Sequence, residues 1–134
     1  MVFQKILIVD DDMDDFEILR GALESIPAAP TIGYAENGEK ALDTLNRYGQ
    51  SDNLPELIVL DLNMPLKNGT ETLRSLKADP RFRHIPVIIY STSINPLEAN
   101  KCMQLGALSY ITKPISHEES VETAKLFQSI CEKR

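Results

Sequence analysis

The sequence has 134 residues, which suits a single domain that can bury a hydrophobic core without disulfide support. Apolar residues make up 43% of it and charged residues 25%, as in ordinary soluble globular proteins. Its net charge of −6 argues against general nucleic-acid binding, and no apolar run approaches the ~18 residues of a membrane span.

Short apolar runs alternate with longer helical patterns along the chain. Three of these runs are continuous and rich in Ile and Val, which is typical of strands buried on both faces of a parallel sheet. They cover residues 5–9, 57–60 and 87–90, and two weaker strands are predicted at 31–35 and 108–112.

Helices are predicted between the strands. The first carries an apolar stripe at three- and four-residue steps, formed by Met13, Phe16, Leu19, Leu23 and Ile26. Residues 38–48 and 69–78 offer the second and third helices, and Gly69 is expected to permit the turn into the third.

The last two helices carry clear start signals. Asn95 is a predicted cap followed by Pro96 at the first helical position. Ser116 and Glu119 form a predicted capping box, and the helix after it should bury Val121, Ala124, Phe127 and Ile130.

This alternation predicts a (βα)5 fold, a doubly wound parallel sheet with helices on both faces. Ligands bind such sheets beyond the carboxyl ends of the strands. The residues found directly after the strands are Asp10, Asp11, Asp12, Asp61, Ser91, Thr92, Lys113 and Pro114. We therefore expect carboxylates, a hydroxyl and an ammonium to share one cleft at this edge.

Carboxylates gathered in one cleft repel each other unless a cation offsets their charge. Mg²⁺ takes oxygen ligands of this kind, and a carboxylate can act as a nucleophile that forms an aspartyl phosphate. Asp12, Asp14 and Asp15 have a simpler interpretation, because acids at a helix start cap free amides and suit the helix dipole.

Four stretches together carry a family resemblance: "ILIVDD" (6–11), "LIVLDLNMPLKNG" (57–69), "PVIIYSTS" (86–93) and "GALSYITKPI" (106–115). In this order, over roughly residues 4 to 130, the chain resembles the response-regulator receiver domain of two-component signalling. The resemblance implies the flavodoxin-like strand order 2-1-3-4-5.

The resemblance also implies roles for the acids of the cleft. Asp61 stands at the position of the phosphoacceptor. Asp11 matches the carboxylate that binds Mg²⁺ directly, and Asp10 matches the acid that reaches the metal through water. Asn63 matches the residue whose backbone carbonyl completes the metal site.

The remaining matches concern the switch. Ser91 matches the hydroxyl that bonds the phosphoryl group, and Lys113 matches the lysine that pairs with a phosphoryl oxygen. Tyr110 matches the aromatic residue that rotates inward, and the Lys113–Pro114 bond matches one that is often cis. Thr92 departs from the usual small residue after the switch serine, so its bulk is expected to slow access to the phosphoryl group.

The implied protein is a signalling phosphoacceptor rather than an enzyme with its own substrate. A sensor histidine kinase or a histidine phosphotransfer protein would supply the phosphoryl group. The signal would pass through the fourth helix, fifth strand and fifth helix to a downstream protein target or into a homodimer. The long segments 48–56 and 77–86 resemble those of single-domain receivers paired with phytochrome-like kinases.

We expect one receiver domain over residues 1–134, with a core of about 4–130 and no output domain. Cys102 and Cys131 lack metal-site spacing, and the first residues lack a signal-peptide pattern. We therefore expect reduced thiols, a cytoplasmic location, and no membrane or nucleic-acid partner.

Three other functions fit parts of the pattern. A Mg²⁺-dependent aspartyl-phosphate phosphatase of the haloacid-dehalogenase type would want an acid at position 63, where this chain has Asn63. A receiver-like binding module that is never phosphorylated would usually have lost an acid or the lysine. A flavodoxin-like carrier is disfavoured because three aspartates after the first strand would repel the FMN phosphate.

Overall fold

The computed structural model describes residues 5–48, 53–62, 64, 68–92 and 95–132. Within these residues five strands alternate with five helices. They are β1 (Ile6–Val9), α1 (Met13–Ser25), β2 (Ile32–Ala35), α2 (Gly38–Tyr48), β3 (Leu57–Leu60), α3 (Gly69–Ala78), β4 (Val87–Ser91), α4 (Pro96–Leu105), β5 (Ser109–Thr112) and α5 (His117–Glu132).

The strands form one parallel sheet in the order β2-β1-β3-β4-β5. This confirms the predicted (βα)5 fold and its strand order. β4 runs one residue further than predicted, because Ser91 still pairs with Thr112 of β5. That pairing fixes the Ser91 side chain at the edge of the sheet rather than in a loop.

The three continuous apolar runs are buried along their whole length, as expected for central parallel strands. Alternate side chains of each strand enter two different apolar clusters. One cluster joins the sheet to α2, α3 and α4, with Leu45, Leu73 and Cys102 among its members. The other joins it to α1 and α5 through residues such as Leu19 and Phe127.

The predicted helix starts are confirmed by their hydrogen bonds. The Asp12 side chain caps α1 by accepting from the backbone N–H groups of Asp14 (3.0 Å) and Asp15 (3.2 Å). Asn95 accepts from the N–H of Leu97 at 2.8 Å, and Ser116 Oγ accepts from the N–H of Glu119 at 3.2 Å. These caps satisfy amide donors that the first helical turn leaves without partners.

The apolar stripe of α1 is buried except at its first member. Met13 is 51% exposed, so the apolar stripe in the sequence is one residue longer than the buried face of the helix. It is the first residue of α1, and the buried face of the helix begins at Phe16. In α5, Ala124 and Phe127 are fully buried, as predicted.

The Lys113–Pro114 peptide bond is trans, whereas the resemblance suggested a cis bond. Of the helices in the described part of the chain, none is long and apolar enough to cross a membrane.

Candidate functional site

Asp61 lies directly after β3, at the carboxyl edge of the sheet. Its side chain is buried, and its backbone N–H donates to the carbonyl oxygen of Val9 at 3.0 Å. The Ser91 hydroxyl, at the end of the neighbouring strand β4, donates to Asp61 Oδ1 at 3.0 Å. Because β3 and β4 pair in parallel, two residues that are 30 positions apart in sequence meet at this edge.

Lys113 brings a buried positive charge to the same edge. It follows β5, and its backbone N–H donates to the Ser91 carbonyl oxygen at 2.8 Å. Its Nζ lies 2.7 Å from Asp10 Oδ2 and 3.8 Å from Asp61 Oδ2. The lysine side chain is only 8% exposed, so these charges interact with little screening by water.

Burial and charge oppose each other at the Asp10 carboxyl group. Burial raises its pKa to about 6, although the Lys113 ammonium and the Asp12 N–H both favour the ionised form. Burial also opposes the charge of Lys113. Hydrogen bonds to Asp10 and Asp15 outweigh that effect and hold the lysine pKa above its usual range. Lys113 is therefore a permanent cation, and Asp10 keeps its proton more readily than an exposed aspartate.

Among the described residues, Asp10, Asp11 and Asp61 form a group whose carboxylate oxygens lie within 4.8 Å of one another. Asp10 and Asp61 are buried and Asp11 is exposed, so the group opens to solvent on one side. Small hard cations such as Mg²⁺ prefer oxygen ligands of this kind and keep some bound water. The three acids therefore fit a magnesium site.

Asn63, whose backbone carbonyl was expected to complete that site, lies outside the described residues. The exposed Asp11 lines an open cleft shared with Leu62 and with the α3 residues Thr70 and Arg74. The cleft therefore reaches one of the three acids, Asp11, from the solvent side.

Asp15 belongs to the site, which the sequence analysis missed. Its Oδ2 lies 2.8 Å from Lys113 Nζ, and its side chain is 27% exposed. The sequence pattern indicates only an acid at a helix start that suits the helix dipole. No signal in the sequence indicates this contact, because Asp15 on α1 and Lys113 after β5 are 98 positions apart.

Gly69 has a different role from the expected one. A Cβ atom there would lie 2.3 Å from the Asp61 carbonyl oxygen and 2.5 Å from Leu62 Cα. Its backbone N–H donates to the Leu62 carbonyl oxygen at 2.9 Å. The glycine is therefore needed for close approach of α3 to the segment after β3, whereas the expected reason was turn flexibility.

Tyr110 and Thr92 lie outside the buried part of the site. The Tyr110 side chain on β5 is 45% exposed, and Thr92, directly after β4, is also exposed. The site thus combines a buried centre of Asp10, Asp61, Ser91 and Lys113 with an exposed rim.

Solved structures that are similar to this one include two response regulators. The structure is similar to that of the phosphorylated cyanobacterial phytochrome response regulator RcpA, with a TM-score of 0.84 and 30% identity over 96% of this chain and 93% of that one. It is also similar to the Mn²⁺-bound form of response regulator Rcp1, with a TM-score of 0.81 and 27% identity over 94% and 92%.

Curated relatives extend this likeness. The polar-differentiation response regulator DivK of Brucella anthropi is 32% identical over 124 residues, which is 92% of this chain and 95% of DivK. The protein-glutamate methylesterase/protein-glutamine glutaminase of Methanococcoides burtonii is 37% identical over 117 residues. This chain spans 31% of that longer protein and similar shares of two other methylesterases. The model of the response regulator receiver domain matches residues 6–125, so the chain belongs to the response regulator receiver domain family.

Proposed function

We propose that this protein is a phosphorylation-dependent receiver that accepts a phosphoryl group on Asp61. The observation that carries the proposal is the setting of the Asp61 carboxylate. One of its oxygens accepts from the Ser91 hydroxyl, a buried lysine stands 3.8 Å from the other, and two further acids surround it. A carboxylate so placed can act as a nucleophile whose product finds positive charge and a donor already in position.

The proposed reaction is an in-line transfer from a phosphohistidine. An Asp61 carboxylate oxygen forms the new bond to phosphorus while the phosphorus–nitrogen bond breaks, and the leaving imidazole takes the bonding electron pair. The Ser91 hydroxyl is then redirected from the carboxylate to a phosphoryl oxygen. The Lys113 ammonium offsets negative charge on the group.

Asp10, Asp11 and Asp61, with the Asn63 backbone carbonyl, would hold Mg²⁺ during this transfer. When bound, the metal ion supplies positive charge that offsets the phosphoryl oxygens. The fit of the three acid side chains supports this assignment, and one relative of the same fold has been crystallised with Mn²⁺.

The proposed output is a change in the surface formed by α4, β5 and α5, which we call the output surface. Ser91 pairs with Thr112 at the end of β5, so a shift of Ser91 towards a phosphoryl group acts directly on that strand. Tyr110 on β5 is half exposed and has room to change its burial. This would be a local electrostatic event that biases a two-state surface.

The partners follow from the proposed chemistry. A sensor histidine kinase or a histidine phosphotransfer protein in the cytoplasm would be the phosphodonor. The signal would leave through contact with a downstream protein or a second copy of this chain. Exposed apolar side chains on the output surface, among them Leu97 and Met103 of α4 and Leu126 of α5, support protein contact there. The exposed Thr92 beside the site would restrict access of water and partners to the phosphoryl group.

The test is intact-protein mass spectrometry after treatment with acetyl phosphate, with Mg²⁺ or with a chelator. Wild type is expected to gain the mass of one phosphoryl group only when Mg²⁺ is present. Asp61→Asn keeps the size of the side chain but removes the nucleophile, so this variant is expected to show no added phosphoryl mass.

Asp14→Asn is the matched control. Asp14 is an exposed acid on α1, and its substitution removes one negative charge, as Asp61→Asn does. The Asp14→Asn variant should be phosphorylated like wild type. Phosphorylation of Asp61→Asn at the wild-type level would contradict the proposal. A binding module that is never phosphorylated would leave all three proteins unmodified, even with a histidine kinase as donor.

A further inference from the structure

The Lys113 ammonium is shared unequally among three carboxylates. Its Nζ lies 2.7 Å from Asp10 and 2.8 Å from Asp15 but 3.8 Å from Asp61. The first two distances are those of charge-assisted hydrogen bonds, whereas the third is too long for one. The cation is therefore drawn towards β1 and α1 and away from the carboxylate proposed to carry the phosphoryl group.

Asp10 and Asp15 differ in what else they can bind. The oxygens of Asp10 lie in the group that fits a divalent cation, so a bound metal ion would compensate much of its charge. Asp15 is not a member of that group. With metal present, Asp15 is thus the carboxylate whose charge still depends on Lys113.

From this geometry we propose that Asp15 is a positioning residue that competes with the phosphoryl group for Lys113. Because Asp15 pairs with Lys113, the phosphorylated state is less stable than it would be without that ion pair. The inference rests on the proposed function, because it concerns the same phosphoryl group on Asp61.

The competition follows from charge. An aspartyl phosphate places new negative charge on Asp61, and Lys113 is the buried cation beside it. While Asp15 holds the ammonium at 2.8 Å, part of the lysine charge is already neutralised. Removing the Asp15 charge should free the ammonium to interact more strongly with the phosphoryl oxygens. A purely structural ion pair would have the opposite effect on its removal, since a loosened site binds phosphate less well.

The experiment measures the affinity of the full chain for beryllofluoride, a phosphoryl mimic, by ¹⁹F NMR at saturating Mg²⁺. Asp15→Asn preserves the shape of the side chain and removes its charge. We expect it to bind beryllofluoride about five- to tenfold more tightly than wild type, the effect of releasing one partly exposed charge-assisted hydrogen bond.

Two variants serve as controls. Asp14→Asn removes the same charge from the same turn of α1 and should bind like wild type, because its carboxylate is exposed to solvent. Asp15→Glu keeps the charge and should stay close to wild type. Circular dichroism confirms that each variant is folded before the titration.

The outcomes separate the two proposals. Asp15→Asn binding as weakly as wild type, or more weakly, would overturn the role of Asp15 alone. Equal tightening in Asp15→Glu would also overturn it, because the effect would then come from packing rather than charge. Absence of beryllofluoride binding in wild type and Asp14→Asn would overturn the proposed function, and the role of Asp15 with it.

Discussion

At the scale of single residues, the buried Asp10 shows how the site opposes folding stability. Its side chain is 2% exposed, and burial raises its pKa to about 6. One lysine stands against three acids, so negative charge remains uncompensated at the centre of the site until a cation binds. Functional sites commonly hold such groups at a cost to the fold.

This cost predicts a stabilising substitution. Asp10→Asn should raise the free energy of unfolding in magnesium-free buffer near neutral pH. The gain should be about 2 to 3 kcal/mol, the equivalent of a shift of roughly two pKa units. Urea denaturation in the presence of a chelator measures it. Asp11→Asn is the control. Because Asp11 is exposed, this substitution should raise the free energy of unfolding much less.

The effect should depend on pH in a defined direction. Because the folded pKa of Asp10 lies above its ordinary value of 3.8, the native state binds a proton more tightly than the unfolded state. Wild-type stability from this group therefore falls as pH rises from about 4 through about 6. The advantage of Asp10→Asn should shrink towards the acid end of that window, and an advantage that grew there would contradict the account.

Magnesium provides an independent test of the same residue. A ligand that binds only the native state stabilises it by mass action. Mg²⁺ should therefore raise the thermal midpoint of wild type, whereas Asp10→Asn, which has lost one carboxylate of the site, should respond less. Equal responses of the two proteins would show that Asp10 takes no part in cation binding.

At the scale of elements, the contact between α3 and the segment after β3 sets the position of Asp61. The N-terminal turn of α3 approaches so closely that a Cβ atom on Gly69 would lie 2.3 Å from the Asp61 carbonyl oxygen. Asn68 caps this turn by accepting from the N–H of Glu71 at 2.9 Å. The backbone of the proposed phosphoacceptor is thus held between its own strand and the following helix.

Two glycine substitutions should therefore change the free energy of unfolding in opposite directions. Gly69→Ala is expected to lower the free energy of unfolding by about 1 to 3 kcal/mol and to slow phosphorylation by acetyl phosphate, because the added methyl group displaces Asp61. A Cβ atom added at Gly21 on α1 would have no atom within 4 Å. Gly21→Ala should therefore raise the free energy of unfolding by up to about 1 kcal/mol, because alanine favours the helix more than glycine does. Chemical denaturation and the phosphorylation rate of both variants test this, and a tolerated Gly69→Ala would contradict the close contact.

The same elements show what sequence patterns can predict. The central strands were predictable because burial on both faces produces continuous runs such as Leu57–Leu60. The start of α4 was predictable because caps act locally, as Asn95 and Pro96 illustrate. Since parallel strands end at one edge, the meeting of Asp61 with Ser91 also followed from the order of the elements.

Other features depend on distances that a pattern does not contain. The contact of Asp15 with Lys113 requires knowing which face of α1 looks towards the end of β5. The close approach at Gly69 depends on the packing of α3 against another segment. Met13 shares the spacing of the buried stripe but is exposed, and spacing alone does not show where the buried face of a helix ends.

At the scale of the whole molecule, the sheet assembles the site from residues that are far apart in sequence. Asp10, Asp61, Ser91 and Lys113 come from the ends of β1, β3, β4 and β5. The site therefore exists only in the folded domain, and its charges couple to the stability of that domain. The same sheet connects Ser91 to β5 and hence to the output surface.

The measurement that tests the central claim most directly identifies the modified residue. The full chain is treated with phosphoramidate, whose phosphorus–nitrogen bond resembles that of phosphohistidine. Borohydride then reduces any aspartyl phosphate to homoserine, and peptide mass spectrometry locates that homoserine. We predict homoserine at position 61 in wild type with Mg²⁺, and none when Mg²⁺ is chelated. Homoserine at another aspartate, or at position 61 regardless of Mg²⁺, would contradict the account.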